Sequence, residues 1–592
     1  MDRLEEAANR FEQAALAPKL RLDALEALAQ VQSTQSRFDD ALATYETLAA
    51  EHPEHPTGHF GRCDTLLRMD RAEEALPHCR NSVALGPDNP AYLARLGDAL
   101  HLLGSNAEAI ARYEDALALD PTNLDVRNNL GATLKVLGQF RKAQEEFERC
   151  LEQNPDHLPA LTNLAMALKE QGDAHLASRH LERAVRLAPD DLSLQLYLAM
   201  SRIPFAYATG EDIATCRAAY ARDLTLLATA VASATPSTLA ELARNIGRLQ
   251  PYYLPYQGQN DCELMTLYGT IIHRTMNATW ATLAQAAEHS FPAPPQAGER
   301  VRVGFVSGHF RDHSVWKLPT RGWCAGLDRE RFMVTGYSVS SRTDPETAVA
   351  RQIFDRFQED LTTLPALAEA IRRDAPHILI YPELGMDPLC ARAACLRLAP
   401  VQCVSWGHPQ TSGLGTMDYF LSSDLMEPAN SEEHYSEKLV RLPGLGVAYH
   451  PSSPAPSNER REDFGLREDD TVYLCLQTLY KYLPSQDATF ATIAAKVPAS
   501  RFVFLENSGA AHLNRLFRKR LEQAFTAAGL APDRHLVFLP QLPGDRFQAL
   551  ASLGDIFLDS FGWSGCNSSL ESMAHGAVPV TLPGALMRGR HT

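Results

Sequence analysis

The sequence predicts an α-helical solenoid followed by two α/β domains, each built on a doubly wound parallel sheet. Three observations carry that expectation. A 34-residue period runs through the first third of the chain, in small residues and prolines alike. The proline-rich stretch "FPAPPQAGE" at 291–299 separates helix-period sequence from short β-branched runs that alternate with helical segments. A second such break, "YHPSSPAPSNER" at 449–460, precedes another series of the same kind.

The period is read from Ala41, Ala75, Ala109, Ala143 and Ala177, and from Pro53, Pro87, Pro121, Pro155 and Pro189 in the same register. Tyr45, Tyr113, Phe147 and Leu181 supply a large residue between them, with Cys79 in its place in the second unit, and Gly97 and Gly131 stand where one helix crosses the next. Alanine lets antiparallel helices approach, the large residue fills the gap, and proline stops the second helix. The pattern resembles the tetratricopeptide repeat. It implies five units over about 22–191 within a 1–191 domain that opens on a leading helix. Asn129 and Asn163 share one repeat position and either offer amides to a bound peptide backbone or are solvated polar residues.

Residues 192–298 read as a helical bridge. The first α/β domain, 299–455, shows strand candidates at 301–308, 332–339, 377–384, 401–407 and 418–424. The second, 456–592, shows them at 471–477, 501–507, 535–541, 555–561 and 578–584. Helices between strands imply crossovers and parallel pairing, and ligands bind such sheets at the carboxyl ends of their strands.

Composition removes several function classes. The formal charge of -16 argues against general nucleic-acid binding and attraction to anionic lipid. The charged N-terminus and the lack of a long apolar window predict a cytoplasmic protein with no membrane insertion. Eleven scattered cysteines predict neither a disulfide framework nor a zinc ribbon, and Cys390 and Cys395 read as apolar fillers of one helix.

The stretch "SFGWSGCNSSLESMAHGAVPVTLPG" at 560–584 follows a strand with a turn of small polar residues before a helix. It reads either as an anion seat at a helix N-terminus or as simple capping. The whole set "SGHFRDHSVWKL", "LRLAPVQCVSWGHPQTSGLGTMDYFLSSD", "YSEKLVRLPG", "LQTLYKYLPS" and "DIFLDSFGWSGCNSSLESMAHGAVPVTLPG", behind tetratricopeptide repeats, resembles glycosyltransferase family 41. That family includes protein O-linked N-acetylglucosamine transferases and SPINDLY-like proteins. "GHPQTSG" with "YPELGMD" is also similar to the adhesin-type N-glycosyltransferases.

The resemblance implies a GT-B fold, a UDP-sugar donor, inversion, and neither metal nor cofactor. The chain contains no Asp-x-Asp, a motif with which other glycosyltransferases hold a divalent ion. Lys481 matches the family lysine on the diphosphate, with Gln477 and Thr478 beside it. Cys566, Asn567, Ser568 and Ser569 match the second half of the seat. Glu571 matches a position facing the ribose, or complements the helix dipole. Phe547 stands where the family has a histidine near the nucleotide, and serves as a stacking or a core residue. His313 matches an active-site histidine, with His309 beside it. His408 contacts the sugar or orders its loop.

"YPELGMD" replaces the family's Asp-Leu-Asn-Gly-His, which leaves Glu383 and Asp387 as the local carboxylates for orienting an acceptor. The implied activity is transfer of a sugar, N-acetylglucosamine first, to Ser or Thr of proteins held by the repeats. The alternatives are hexose transfer to Asn and an inactive repeat scaffold. The family continues beyond "GALMRGRHT", so the second domain is expected to be truncated.

Overall fold

The computed structural model describes residues 2–17, 20–449 and 458–592. The expected boundary between 455 and 456 lies outside the described residues. The chain divides into two compact units, 1–170 with 179–187, and 171–178 with 188–592.

In the first unit, helix pairs repeat from Arg21–Thr34 and Phe38–Glu51 onward. Ala41, Ala75, Ala109 and Ala143 are fully buried. Each of the prolines 53, 87, 121 and 155 follows the residue that caps the C-terminus of its helix. A second regularity pairs residues 16 apart across the two helices of a repeat. A Cβ on Gly97 would lie 2.6 Å from the Tyr113 ring, and one on Gly131 would lie 2.6 Å from that of Phe147. Ala29 with Tyr45, and Ala165 with Leu181, hold the same places and are buried.

In the second repeat the pair is Cys63 and Cys79. They form a disulfide with Cα atoms 5.2 Å apart. This corrects the expectation of no disulfide: the two thiols are distant in sequence and meet only through the helix hairpin, where together they replace a small residue and an aromatic one.

In the second unit, helices Leu192–Ser201, Gly210–Ser233, Pro236–Ala243 and Cys262–Glu288 form the bridge. The expectation of continuous helix fails between 244 and 261, where only a short 3-10 turn, Leu254–Gln257, is present. Pro251 and Pro255 remove backbone donors there, and Gly258 adopts a φ of 70°. Buried Asp261 accepts from Arg217 at 2.6 Å and from Arg588, near the end of the second lobe, at 2.9 Å. Buried Arg520 makes a two-pronged pair with Asp487 at 2.9 and 2.7 Å and donates to the carbonyl of Tyr207 in the bridge.

Among the described residues the first lobe has seven parallel strands: β1 Val301–Ser307, β2 Phe332–Ser338, β3 Arg356–Gln358, β4 Ile378–Tyr381, β5 Val401–Ser405, β6 Tyr419–Ser423 and β7 Lys438–Leu442, in the order β3-β2-β1-β4-β5-β6-β7. The sequence suggested five. It missed three-residue β3 and β7, edge strands whose short length or alternating charge weakens the apolar signal.

The second lobe has β8 Thr471–Cys475, β9 Ser500–Leu505, β10 Leu536–Leu539, β11 Ile556–Leu558 and β12 Val578–Val580, in the order β10-β9-β8-β11-β12. Both sheets are doubly wound, and the chain reverses direction between β1 and β4 and between β8 and β11. The architecture is a repeat solenoid followed by two Rossmann-like lobes of GT-B type.

Reducing the Cys63–Cys79 bond, which closes a loop over a separation of 16 residues, should cost about 3 kcal/mol. Thermal melts with and without dithiothreitol should show this loss. The double change C63G/C79Y, which restores the small–aromatic pair, should melt at one temperature in both conditions.

Candidate active site

The loops that leave the central strands of both lobes line one cavity of about 510 Å³. On the second lobe, the chain after β8 turns through a 3-10 helix, Leu479–Lys481. Lys481 Nζ donates to Gln477 Oε1 at 2.9 Å, and Gln477 Nε2 donates to Ser568 Oγ at 2.8 Å. Gln477 therefore ties the loop after β8 to the loop after β11 across the crevice. The Lys481 ammonium also lies 5.7 Å over the Trp563 ring. Burial lowers its pKa from 10.5 to about 8. Thr478 is exposed beside it and lines the cavity.

The turn after β11 is braced by buried Asp559, which accepts from Gly565 N at 2.7 Å and from Thr581 Oγ1 at 2.7 Å. Gly565 has no room for a side chain: its Cβ would fall 2.1 Å from Ser569 Oγ and 2.2 Å from Gln477 Nε2. The helix Asn567–Ala574 then begins with no side-chain cap. Asn567 bonds Glu571 instead, at 3.0 Å. The first helical bond is donated by Leu570, to Cys566 O at 3.0 Å, so the amides of 567–569 precede it.

Cys566, Asn567, Ser568, Glu571 and Phe547 line the cavity. Ser569 does not: its hydroxyl is buried against Thr592 at 2.7 Å. Burial raises the pKa of Glu571, with Asn567 and Lys317 opposing the shift. Phe547 also packs on the lobe's core.

On the first lobe, the His309 and His313 rings stack at 4.1 Å. His313 lines the cavity, and its Nδ1 accepts from Val315 N at 3.2 Å. That bond leaves the proton on Nε2, so the ring carries an N–H donor. Burial and Arg311 lower its pKa.

Glu383 and Asp387 take other places. Glu383 is buried under the loop, where Oε1 accepts from Ser307 Oγ at 2.7 Å and from Gly308 N at 3.0 Å, and Oε2 has no partner among the described residues. Burial, with a smaller push from Asp387, raises its pKa from 4.5 to about 8. Asp387 Oδ1 caps the helix Pro388–Ala394 through Leu389 N and Cys390 N, both at 2.8 Å. Neither carboxylate lines the cavity. Glu383 is spent on the end of β1 and Asp387 on the start of the helix after β4.

His408 is buried, lines the cavity, and stacks on Tyr252 at 4.6 Å. Burial lowers its pKa to about 3. Its loop is anchored by Glu437 of "YSEKL", which accepts from Thr411 Oγ1 at 2.6 Å and Ser412 N at 2.8 Å. Gly413 presses backbone to backbone on the bridge helix, where its Cβ would lie 1.9 Å from Met265 O.

Sequence reasoning missed a third wall. Tyr252 and Tyr256 of the bridge, with Trp406, Trp563 and His591, also line the cavity. The signal was present in "QPYYLPYQ", where two prolines among three tyrosines argue against helix.

In the repeat unit, Asn129 Nδ2 donates to Asp98 Oδ1 at 3.0 Å, and Asn163 Nδ2 to Asn128 Oδ1 at 3.0 Å. Asn129 borders a separate cavity of about 650 Å³ with Arg95, Asp98 and His101.

Residues 275–446 match the glycosyl transferase family 41 model. This part of the chain is similar to glycosyl transferase family 41. Tetratricopeptide repeat models match 26–90, 97–138 and 123–190. The chain is 30% identical over 310 residues to a probable UDP-N-acetylglucosamine–peptide N-acetylglucosaminyltransferase SPINDLY of Petunia hybrida, covering 48% of this chain and 30% of the relative. It is 26% identical over 293 residues to the UDP-glucose:protein N-beta-glucosyltransferase of Actinobacillus pleuropneumoniae, covering 47% and 43%. A solved O-GlcNAc transferase mutant of Thermobaculum terrenum aligns over 90% of this chain and 84% of its own with a TM-score of 0.47 and 23% identity. The chain thus spans under a third of the plant relative and under half of the bacterial one.

The burial of Glu383 gives a pH prediction. Its raised pKa means the fold holds the protonated form, so its contribution is complete below about 4.5 and is lost as pH rises toward about 8. Urea unfolding across that window should show stability falling with pH, and Glu383→Gln should flatten this part of the slope.

Proposed function

We propose that the protein transfers a sugar, N-acetylglucosamine first, from a UDP-sugar to Ser or Thr side chains of proteins engaged by its repeats. The observation that carries this reading is the convergence of the Lys481 ammonium and the leading amides of the helix Asn567–Ala574 on one cavity at the reversal point of the second sheet. A half-buried cation and a helix N-terminus together suit a diphosphate. The family match and the relatives' printed activities support the same donor class.

In this reading the acceptor hydroxyl oxygen attacks the anomeric carbon from the face opposite the diphosphate. The bond from that carbon to the β-phosphate oxygen breaks, the hydroxyl proton leaves to solvent or to an oxygen of the departing UDP, and negative charge grows on UDP. Lys481 and the amides meet that charge, so the reaction asks for no divalent ion. His313, proton on Nε2, orients a ligand oxygen. Glu383, outside the cavity, holds Ser307 and Gly308 at the start of the loop that carries His309 and His313, and Asp387 caps the helix that follows β4.

The acceptor is delivered by the repeats, and Asn129 with Arg95 and Asp98 offers it a polar surface. The second reading, hexose transfer to Asn, is favoured by the similarity to the bacterial N-glucosyltransferase. Incubation with UDP-N-acetylglucosamine or UDP-glucose and a protein lysate, followed by mass spectrometry of modified peptides, separates the two. Modified Ser or Thr supports the first, modified Asn the second, and no modification overturns both.

Lys481→Met should lower turnover roughly 10²-fold, comparable with loss of one preorganised donor. UDP affinity of the unaltered protein should fall as pH rises past about 8, where the free lysine loses its proton. Calorimetry on Lys481→Met should show weaker binding without that fall.

A further inference from the structure

The bridge loop at 250–258 lies outside the residues matched to family 41, yet it supplies part of the cavity wall. Pro251 and Pro255 stiffen it, and Arg588 Nε donates to Pro255 O at 2.9 Å. Gln257 Nε2 donates to Tyr207 Oη at 2.6 Å. The loop is held on both sides of the cleft. Tyr252 stacks on His408 of the first lobe at 4.6 Å and 11°, and Tyr256 stacks on Trp563 of the second at 3.9 Å and 10°. Tyr480 meets Tyr256 edge-on at 4.7 Å.

We propose that Tyr252, Tyr256 and Tyr480 form the part of the cleft that reads the hexose of a nucleoside diphosphate sugar, through their hydroxyls. The proposal rests on the donor class given under Proposed function, and adds the bridge loop as a determinant of sugar recognition.

Each bridge ring has a face covered by a protein ring, which leaves the hydroxyl-bearing edge as the group to offer a ligand. The Tyr252 hydroxyl interacts with those of Tyr256 and Tyr480. Three phenols provide three donors and six lone pairs, and their mutual bonds use only some of these. Burial raises the pKa of Tyr252 to about 12 and that of Tyr256 well above 10, so both remain neutral and can donate as well as accept. Sugar hydroxyls have the same double character. Position agrees with chemistry: Tyr480 precedes Lys481 in one 3-10 turn. Lys481 and the three tyrosines line the same cavity, and the sugar is joined directly to the phosphate that this ammonium would hold.

The test is calorimetry on the full chain with UDP, UDP-N-acetylglucosamine and UDP-glucose, for the unaltered protein and for Tyr252→Phe, Tyr256→Phe and Tyr480→Phe. These changes keep each ring and its stacking, and thermal melts check that the fold is unaltered. UDP affinity should stay within about twofold. Affinity for at least one UDP-sugar should fall up to about tenfold per hydroxyl removed. Tyr253→Phe, a neighbour outside the cavity lining, should leave the ratio of UDP-sugar to UDP affinity unchanged.

A ratio that none of the three variants moves overturns the proposal. So does a parallel loss of UDP and UDP-sugar binding, or an equal effect of Tyr253→Phe, since each marks a structural role. UDP binding with no UDP-sugar binding in the unaltered protein also overturns it. Absence of UDP binding overturns the donor reading itself and this proposal with it.

Discussion

Everything at the site follows from one constraint on parallel sheets. Where successive crossovers leave neighbouring strands in opposite directions, no helix covers the gap, and the carboxyl-end loops part to form a crevice. The chain does this twice, between β1 and β4 and between β8 and β11. Lys481 and the turn at 560–566 flank the second gap. The histidines after β1 and the buried Glu383 after β4 flank the first. Gln477 spans the second gap by holding Lys481 with its oxygen and Ser568 with its nitrogen. One neutral amide thus orients a cation and a helix start that would otherwise move independently.

The bridge turns two crevices into one site. A helical linker alone would pack on whichever lobe it followed. Here proline interrupts it at 251 and 255, and the exposed backbone is satisfied in part by Arg588 of the second lobe. Aromatic rings then dock on loops of both lobes. Stacked pairs of this sort add about 0.5–1.5 kcal/mol beyond the area they bury. Their larger effect is geometric, since both lobes are referenced to the same rigid loop.

The sequence made the repeats plain because ten positions in one register rise above chance, and it made the central strands plain because buried parallel strands are continuous apolar runs. Edge strands β3 and β7 were lost because they are short or charged. At the site, the loop residues singled out by motif, Lys481, His313, His408 and the 566–568 turn, line the cavity. Glu383, Asp387 and Ser569 do not line it. A sequence shows that a carboxyl or hydroxyl is near a strand end, but not whether it faces the cleft or turns inward to satisfy backbone amides. Tyr252 and Tyr256 were hidden for the converse reason, since they reach the cavity from a segment far from either sheet in sequence. The Cys63–Cys79 bond was legible only after the 16-residue pairing of the repeats had been seen.

Asp261 sits between Arg217 and Arg588 with both guanidinium groups at hydrogen-bonding distance. The cluster carries one negative and two positive charges in a water-poor interior, and its members are not equally dispensable. Loss of either arginine leaves a balanced pair. Loss of the aspartate leaves two like charges facing each other, on top of the roughly 3–5 kcal/mol attached to breaking a buried ion pair. Among descendants of this chain, drift at the lobe junction should therefore pass through the arginines first and leave position 261 as the last to change.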